Sequence, residues 1–413
     1  MKLCSKKRLI RLNNKNNFSI IQNPTIFVGF FVYFLYLFLM DDFDVLIVGG
    51  GLAGLTAAIH LKIKNYKVAV FEPRHYPHHK VCGEYISNEV LPYMEFLGVS
   101  LPQTVQLNEM LFSTVNGKTL KAQMPMGGFG LSRFTFDNIL YKTAIAVGVL
   151  VIPENVTSVD FENDAFKVLT ESGMEFTSKF VIGAYGKRGM LDKELHRDFI
   201  QKKSPWLGIK AHYKLDSFPD NLVAIHNFRG GYGGLSKTET GAVNFCYLVS
   251  YDSFKKEKDV DYFNRNVVAK NRYLNKFLND AEMLFDKPLA IGQISFHKKK
   301  PVEKHILMCG DTAGLIHPLC GNGMAMAIHS AKIASESIHD YFRNGPIDRQ
   351  QLEKDYEGQW RQMFSKRLWM GRQLQSTLLN EKVSNMAMGL LAKSPNMVNI
   401  LIKNTHGKII ECQ

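Results

Sequence analysis

Asp44-Val-Leu-Ile-Val48-Gly49-Gly50-Gly51-Leu52-Ala53-Gly54-Leu55 is the stretch whose reading decides the fold. An apolar run ends in glycines at the spacing G-x-G-x-x-G and passes into an alanine-rich segment. The pattern predicts a buried strand, a tight turn and a helix. Gly49 permits the turn, Gly51 lets a pyrophosphate approach the backbone, and Gly54 lets the helix pack closely on the strand. A phosphate there would face the unpaired amide N–H groups of the helix N-terminus. Outward from this turn, Leu52 to Lys64 reads as a helix and Lys67-Val-Ala-Val-Phe71 as a second buried strand. That strand runs into Glu72, 18 residues beyond Gly54. An acid at this distance is placed to hydrogen-bond the ribose hydroxyls of an adenine dinucleotide.

The chain has 413 residues, enough for one large core or two moderate ones. Its formal net charge is +13. Lys2, Lys6, Lys7, Arg8, Arg11 and Lys15 stand in a stretch of 39 residues without an acid, leaving +7 on the remainder. An excess of that size suits an anionic cofactor, an acidic carrier, a membrane surface or solubility alone. No basic-aromatic stripe is present, so no nucleic-acid partner is expected. Six scattered cysteines without a C-x-x-C pair argue against a disulfide framework or a zinc ribbon and for a reducing compartment. The expected localisation is cytoplasmic, with peripheral membrane association left open.

Residues 1–40 form a basic, then apolar extension. Ile26 to Met40 is a run of 15 apolar residues, shorter than the roughly 20 that a membrane span needs. No small-residue cleavage site precedes Asp41, which argues against a secretory signal. An anchor with its basic end inside would export the glycine-turn domain, away from reduced cofactors. The preferred reading is a true start at Met40, which puts the glycine strand near the beginning of the chain; a membrane anchor is the alternative.

Further along, Arg74-His-Tyr-Pro-His-His-Lys-Val-Cys-Gly-Glu84 reads as a connecting or cofactor-covering loop. Adjacent histidines face one ion poorly and no distant ligand pair is evident, so no metal is expected. Residues 105–130 read as paired strands. The segment Leu131 to Ala144 reads as a helix preceded by Arg133, which is either a phosphate contact or a surface charge that Asp137 pairs locally. Val149–Ile152 reads as a short strand, and Val156–Phe161, Phe166–Thr170 and Phe176–Ile182 as an antiparallel meander. Residues 204–296 read as mostly β, with strands at Gly208–Leu215, Leu222–Phe228, Ala242–Ser250 and Ala290–Phe296, and helices around 258–285. Gly230-Gly-Tyr-Gly-Gly234 reads as punctuation in that sheet. Ile306–Cys309 is a returning strand, Gly321 to Gly323 expose another helix N-terminus, and residues 348–405 read as helical. His317 and Cys320 read as loop packing, with no catalytic partner in view.

Taken together, these pieces resemble the FAD-dependent oxidoreductases that include geranylgeranyl reductases, flavin halogenases and aromatic-hydroxylase-type monooxygenases. The resemblance spans about residues 43–345. It rests on Gly49-x-Gly51-x-x-Gly54 with Glu72; on Lys80-Val-Cys-Gly-Glu84; on Ser132-Arg133 before Asp137 and Leu140; and on Gly310-Asp311 with Pro318 and Gly321-x-Gly323. It implies FAD as cofactor, with Asp311 on the ribityl chain, Gly321, Asn322 and Gly323 beside the pyrimidine end of the flavin, Arg133 near the phosphates, and Lys80 among the cofactor-binding residues. The Cys82-Gly83 turn looks like that of the reductase branch, where it approaches the isoalloxazine. The hydroxylases carry an Asp-Gly pair where this chain has Tyr185-Gly186, so their mode of NADPH binding does not carry over. The W-x-W-x-I-P motif of the halogenases is missing, which disfavours halogenation. No second G-x-G-x-x-G exists, so NAD(P)H would bind transiently or an electron-donor protein would supply electrons.

The implied fold class is α/β: a Rossmann-like FAD-binding domain, an inserted antiparallel β-sheet substrate domain and a C-terminal helical region. The expected boundaries are 41–100 with 130–190 and 300–345 for the FAD-binding part, 101–129 with 191–299 for the substrate part, and 346–413 for the helices. The implied function is an FAD-dependent oxidoreductase acting on a hydrophobic isoprenoid or polyketide-like small molecule. In the reductase version, hydride passes from the flavin to a double bond and Cys82 or a water returns the proton. The alternatives are a monooxygenase that hydroxylates an aromatic substrate after oxygen capture at flavin C4a, and a non-enzymatic flavin electron-transfer protein.

Overall fold

The run Phe43–Val48 is a central strand of a parallel sheet, because all its side chains but the half-buried Asp44 are apolar and almost entirely buried, on both faces. A computed structural model describes residues 42–187, 189–345, 348–391 and 394–412. The expectations placed on residues 1–41 lie outside these. The strand order is Val302–Glu303, Ile306–Met308, Glu175–Gly183, Phe43–Val48, Val68–Phe71, Leu150–Ile152. All pairings along this row are parallel except the first, at the edge. The strands Val156–Glu162 and Ala165–Thr170 join Glu175–Gly183 as an antiparallel meander. The C-terminal ends of three strands meet at one level: Val48 pairs with Gly183, and Gly183 with Met308. In a sheet of this kind the crevice outside those ends is where ligands bind.

Helix Leu52–Ile63 starts at that edge. Its residues Leu52 to Leu61 are all buried, since the sheet covers one side and helices Gly323–Arg343 and Arg133–Ala146 cover the other. The Gly54 contact sets how close it comes. A Cβ on Gly54 would lie 1.8 Å from the Gly49 carbonyl oxygen.

The second sheet has nine strands. Its order is Glu282–Met283, Trp206–Lys214, Val243–Ser250, Gly231–Lys237, Leu222–Phe228, Val105–Ser113, Thr119–Gly130, Tyr85–Ser87, with Leu289–Ile291 also on Trp206–Lys214. It is antiparallel except where Leu222–Phe228 runs parallel to Val105–Ser113. One face packs on helices Val260–Asn266 and Arg272–Asp280 through Phe228, Phe245, Phe263, Leu274 and Phe277. The C-terminal helix Arg349–Leu379 packs on Gly323–Arg343, and two shorter helices follow it, Glu381–Leu391 and Pro395–Thr405.

Two sequence expectations change. Ala290–Phe296 contributes only the short strand Leu289–Ile291, after which the chain leaves the sheet. The glycine-rich Gly230–Gly234 does not interrupt the sheet; from Gly231 it is an interior strand. The reason is aromatic bulk on the neighbouring strands. A Cβ on Gly231 would sit 2.3 Å from the Leu248 carbonyl oxygen and 2.6 Å from the Phe228 ring, and one on Gly233 would sit 2.6 Å from the Phe245 ring. The glycines vacate the space those rings fill. Gly234 points the other way and its Cβ would meet nothing nearer than 3.8 Å.

This asymmetry predicts opposite outcomes within one strand. Gly231→Val should destabilise the protein by about 1–3 kcal/mol through overpacking. Gly234→Ala should stay within about 0.5 kcal/mol of the parent. Urea unfolding of the two variants measures the difference.

Candidate functional site

At the strand end, Gly49 takes φ +106°, a conformation open to glycine, and turns the chain against Ala184. Gly51 then opens helix Leu52–Ile63 with no side-chain cap and no acid in the first turn, so its amide end is free to take an anion. A Cβ on Gly51 would lie 3.7 Å from an Arg133 Nη and 3.9 Å from Lys80 Nζ. Two cations therefore stand over the helix end. Both are held by the fully buried Asp137: Arg133 Nε donates to Oδ1 at 2.7 Å, and Lys80 Nζ lies 2.9 Å from Oδ2. Burial alone would raise the Asp137 pKa, but Arg133 and Lys80 hold it below the usual carboxylate value. Burial works to lower the Arg133 pKa, and Asp137 overrides it. The local pairing expected of Arg133 and Asp137 is present, and it orients the guanidinium without removing it from the site. At the end of the second strand, Glu72 Oε2 accepts from the Gly50 N–H at 3.0 Å, and Tyr76 donates to the Gly50 carbonyl.

The loop Lys80–Glu84 is set by a buried cluster that sequence reading missed. Glu84, with φ +56°, is wholly buried. Its Oε1 accepts from the Lys210 ammonium and, at 2.8 Å, from the Arg133 N–H; its Oε2 lies 2.7 Å from His212 Nε2. Burial would raise the Glu84 pKa, yet His212 and Lys210 bring it below the ordinary value of 4.5. Lys210 also donates to the Lys80 carbonyl. Asn244 Nδ2 donates to the carbonyls of Cys82 and Gly83, at 3.2 and 2.8 Å. The signal that could have revealed the cluster is the alternation of Lys210 and His212 on an apolar strand, two charged groups facing inward.

A third group sits at the end of Ile306–Met308. Gly310–Thr312 forms a 3₁₀ turn held by Gly310 N–H to Ser330 Oγ at 2.8 Å and by Thr312 Oγ1 against Gly186. Beneath it Lys299 donates to the Asp311 and Lys187 carbonyls, and burial pushes its pKa down to about 8. Gly321, at φ +64°, and Gly323 line the start of helix Gly323–Arg343. The Asn322 side chain turns away. It is buried, its Nδ2 donates to the Thr405 carbonyl at 3.2 Å, and its Oδ1 has no partner among the described residues.

These groups share one cavity of about 720 Å³. Gly49, Gly51, Glu72, Lys80, Cys82, Gly83, Arg133, Asp311, Gly321 and Gly323 all line it. Gly54 and Asn322 do not: Gly54 packs the helix on the turn, and the Asn322 side chain faces Thr405 and Glu89. The opposite wall is the free face of the nine-stranded sheet, with Val223, Ile225, Tyr232, Gly234, Cys246 and Leu248, joined by Ile294, Leu315 and Leu319. The donor set fits FAD: a bare helix end beside two cations for the pyrophosphate, an acid at each end, and an apolar wall beyond the second.

Two further sequence readings meet the structure here. His79 is brought beside Glu84 and His212, a distant pair that the spacing concealed, with ligand atoms within 4.8 Å of one another. The Lys210 ammonium already occupies Glu84, and a second cation there would be repelled. His317 stacks on Phe296 at 3.8 Å and pairs with Gln375, while Cys320 is buried against Gly371; both pack the loop.

Gly51→Val should remove bound FAD from the purified protein and leave its urea midpoint equal to that of the parent stripped of flavin, because the added Cβ meets the chain only at ordinary contact distance, 3.7 Å from Arg133 and 3.9 Å from Lys80. Loss of fold with loss of flavin would contradict this. Glu84→Gln should cost about 3 kcal/mol at neutral pH by stranding Lys210. Since the folded pKa of Glu84 is lowered, its stabilisation is present above about pH 4.5 and fades as pH falls further. The gap between parent and variant in urea midpoint should therefore close below that pH.

The FAD binding domain family matches residues 42–343. A digeranylgeranylglycerophospholipid reductase from Methanosarcina acetivorans is 26% identical over 361 residues, covering 83% of this chain and 86% of the relative. Among solved structures, the flavin-dependent brominase Bmp2 superposes with a TM-score of 0.73 at 17% identity, over 90% of this chain and 95% of that one. A geranylgeranyl bacteriochlorophyll reductase-like protein from Thermoplasma acidophilum gives 0.71 at 18%, over 88% and 95%. These two likenesses concern the fold. The family match covers well over half of the chain, and the chain belongs to the FAD binding domain family, as an FAD-dependent oxidoreductase.

Proposed function

We propose that this enzyme reduces a carbon–carbon double bond in an apolar isoprenoid or polyketide-like substrate held against the free face of the nine-stranded sheet. The observation that carries the reading is the place of the Lys80–Glu84 loop. It stands between the cation-lined end of the cavity and the apolar sheet face, with Cys82 and Gly83 on the wall. The relative from Methanosarcina acetivorans, named as a reductase, supports the same chemistry.

FAD, when bound, supplies hydride to one carbon of the double bond. The chain does the rest. The Gly51 helix end, Lys80 and Arg133 would hold the phosphates, Glu72 the adenosine ribose, Asp311 the ribityl chain, and Gly321, Gly323 and the Asn322 backbone the pyrimidine end. The apolar wall orients the substrate and keeps water from it. The Cys82 thiol, or a water beside it, delivers a proton to the second carbon; Asn244 and Glu84 fix the loop that carries it. Reducing equivalents arrive from transiently bound NAD(P)H or from an electron-donor protein.

The test is anaerobic turnover. Reduced protein incubated without oxygen should convert polyenes to a product heavier by two hydrogens and leave quinols and alkylphenols unchanged. Product formed only with oxygen would establish the monooxygenase alternative instead, and reduction by no donor would favour an electron-transfer role. Cys82→Ala should slow double-bond reduction by about 10²-fold if the thiol is the proton donor, at unchanged flavin content. Gly234→Leu, which fills the floor of the sheet face, should raise KM for bulky substrates with the flavin spectrum unaltered.

A further inference from the structure

The two C-terminal helices are amphipathic the wrong way round for a free surface. In Glu381–Leu391 the face toward the protein carries Ser384 and Met388, while Val383, Met386 and Leu390 point outward, the last two 64% and 60% exposed. In Pro395–Thr405, Val398 and Ile402 face inward, while Met397 and Ile400 stand outward, 50% and 57% exposed. Ile409 extends the apolar surface beyond the second helix. Both helices rest on the same supports, helix Arg349–Leu379 and strand Thr119–Gly130. A cluster of large exposed aliphatics of this kind marks an interaction surface.

Its border is cationic. Lys382, Lys403 and Lys408 are exposed, and Lys118 reaches the first helix to donate to the Asn385 carbonyl at 3.2 Å. Over residues 380–412 the sequence has four lysines and two glutamates. A second copy would set lysines against lysines across a two-fold axis. An anionic bilayer satisfies both features, since aliphatic side chains enter the acyl boundary while lysines meet the headgroups.

We propose that the outward face of these two helices docks the protein on an anionic lipid surface. Among the described residues no helix is long and apolar enough to cross a membrane, so this contact is peripheral. The docking face is tied to the cavity. Gly407 N–H donates to Glu89 Oε2 at 2.7 Å, Asn322 donates to the Thr405 carbonyl, and His406 Nε2 lies 3.2 Å from the Tyr85 hydroxyl, whose ring lines the cavity. Docking thus sets the wall beside Gly321–Gly323 next to the bilayer. The proposal does not depend on which reaction the flavin carries out.

Co-sedimentation of the full chain with vesicles decides it, using phosphatidylcholine alone and phosphatidylcholine with about one third phosphatidylserine. The parent should bind the anionic vesicles at least tenfold more tightly. Met386→Asp with Leu390→Asp and Ile400→Asp should lower that binding at least tenfold. Lys382→Glu with Lys403→Glu and Lys408→Glu should abolish the preference for phosphatidylserine. Flavin content and urea midpoint should not change in either triple variant, because the altered side chains are exposed. Absence of vesicle binding by the parent would overturn the proposal, as would full binding by the apolar triple variant. So would a parent dimer, seen by light scattering, that the apolar triple variant converts to monomer, since that would make the face a contact between copies.

Discussion

The buried carboxylate of Glu84 is the interaction on which the site depends. It gathers Lys210 and His212 from the nine-stranded sheet and the Arg133 N–H from the helix that faces the glycine turn. One side chain therefore joins the two halves of the molecule at the point where the cofactor and substrate parts of the cavity meet. Removing a carboxylate from water is expensive, and the attraction of its partners in a low-dielectric interior must offset most of that cost. Such a cluster adds little net stability, but it allows one arrangement of the loop that carries Cys82. Asp137 repeats the device nearby, holding Lys80 and Arg133 over the helix end.

The parallel sheet was legible because its signals are local. The glycine spacing, the continuous apolar strands and Glu72 are all read within about thirty residues, and each follows from backbone geometry. The presence of Lys80 and Arg133 in the cavity beside the glycine turn was legible for the same reason, since both sit in short motifs. The substrate sheet was legible in outline but not at Gly230–Gly234. Glycines there look like a break until the Phe228 and Phe245 rings from adjacent strands are in place, and strand pairing across the sheet is not a local property. The Glu84 cluster was invisible for a related reason: its members lie about 126–128 residues apart in sequence. The direction of the Asn322 side chain was equally illegible: it links the helix start to the C-terminal segment, a contact 83 residues away in sequence.

The two walls of the cavity obey different constraints. The cofactor side is built from backbone: a glycine turn, a bare helix end and a second glycine pair at Gly321 and Gly323. Few side chains can be exchanged there without closing the space. The opposite wall is built from side chains on a sheet face, where Tyr232, Gly234 and Cys246 alternate with core residues. A change at one of those positions alters the shape of the cavity and leaves the strand pairing intact. Likeness in fold to a brominase and to a reductase-like protein, which extends over about nine-tenths of the chain, is compatible with this, because side chains on one sheet face can change while the backbone stays the same.

It follows that the identity of the reaction lies in a small region. Both reductive and oxygenating chemistry need the same dinucleotide grip and the same apolar wall. They differ in what meets the reactive edge of the flavin: a proton source and a closed, dry space for reduction, or access for oxygen and an electron-rich ring. In this chain Cys82 and Gly83 line the cavity between its cation-lined end and the apolar sheet face, on a loop whose carbonyls are held by Asn244 and whose end is locked by Glu84. A loop so firmly held presents its thiol at one place. That rigidity suits a proton delivered to a single carbon, and it is the physical ground for preferring reduction at this site.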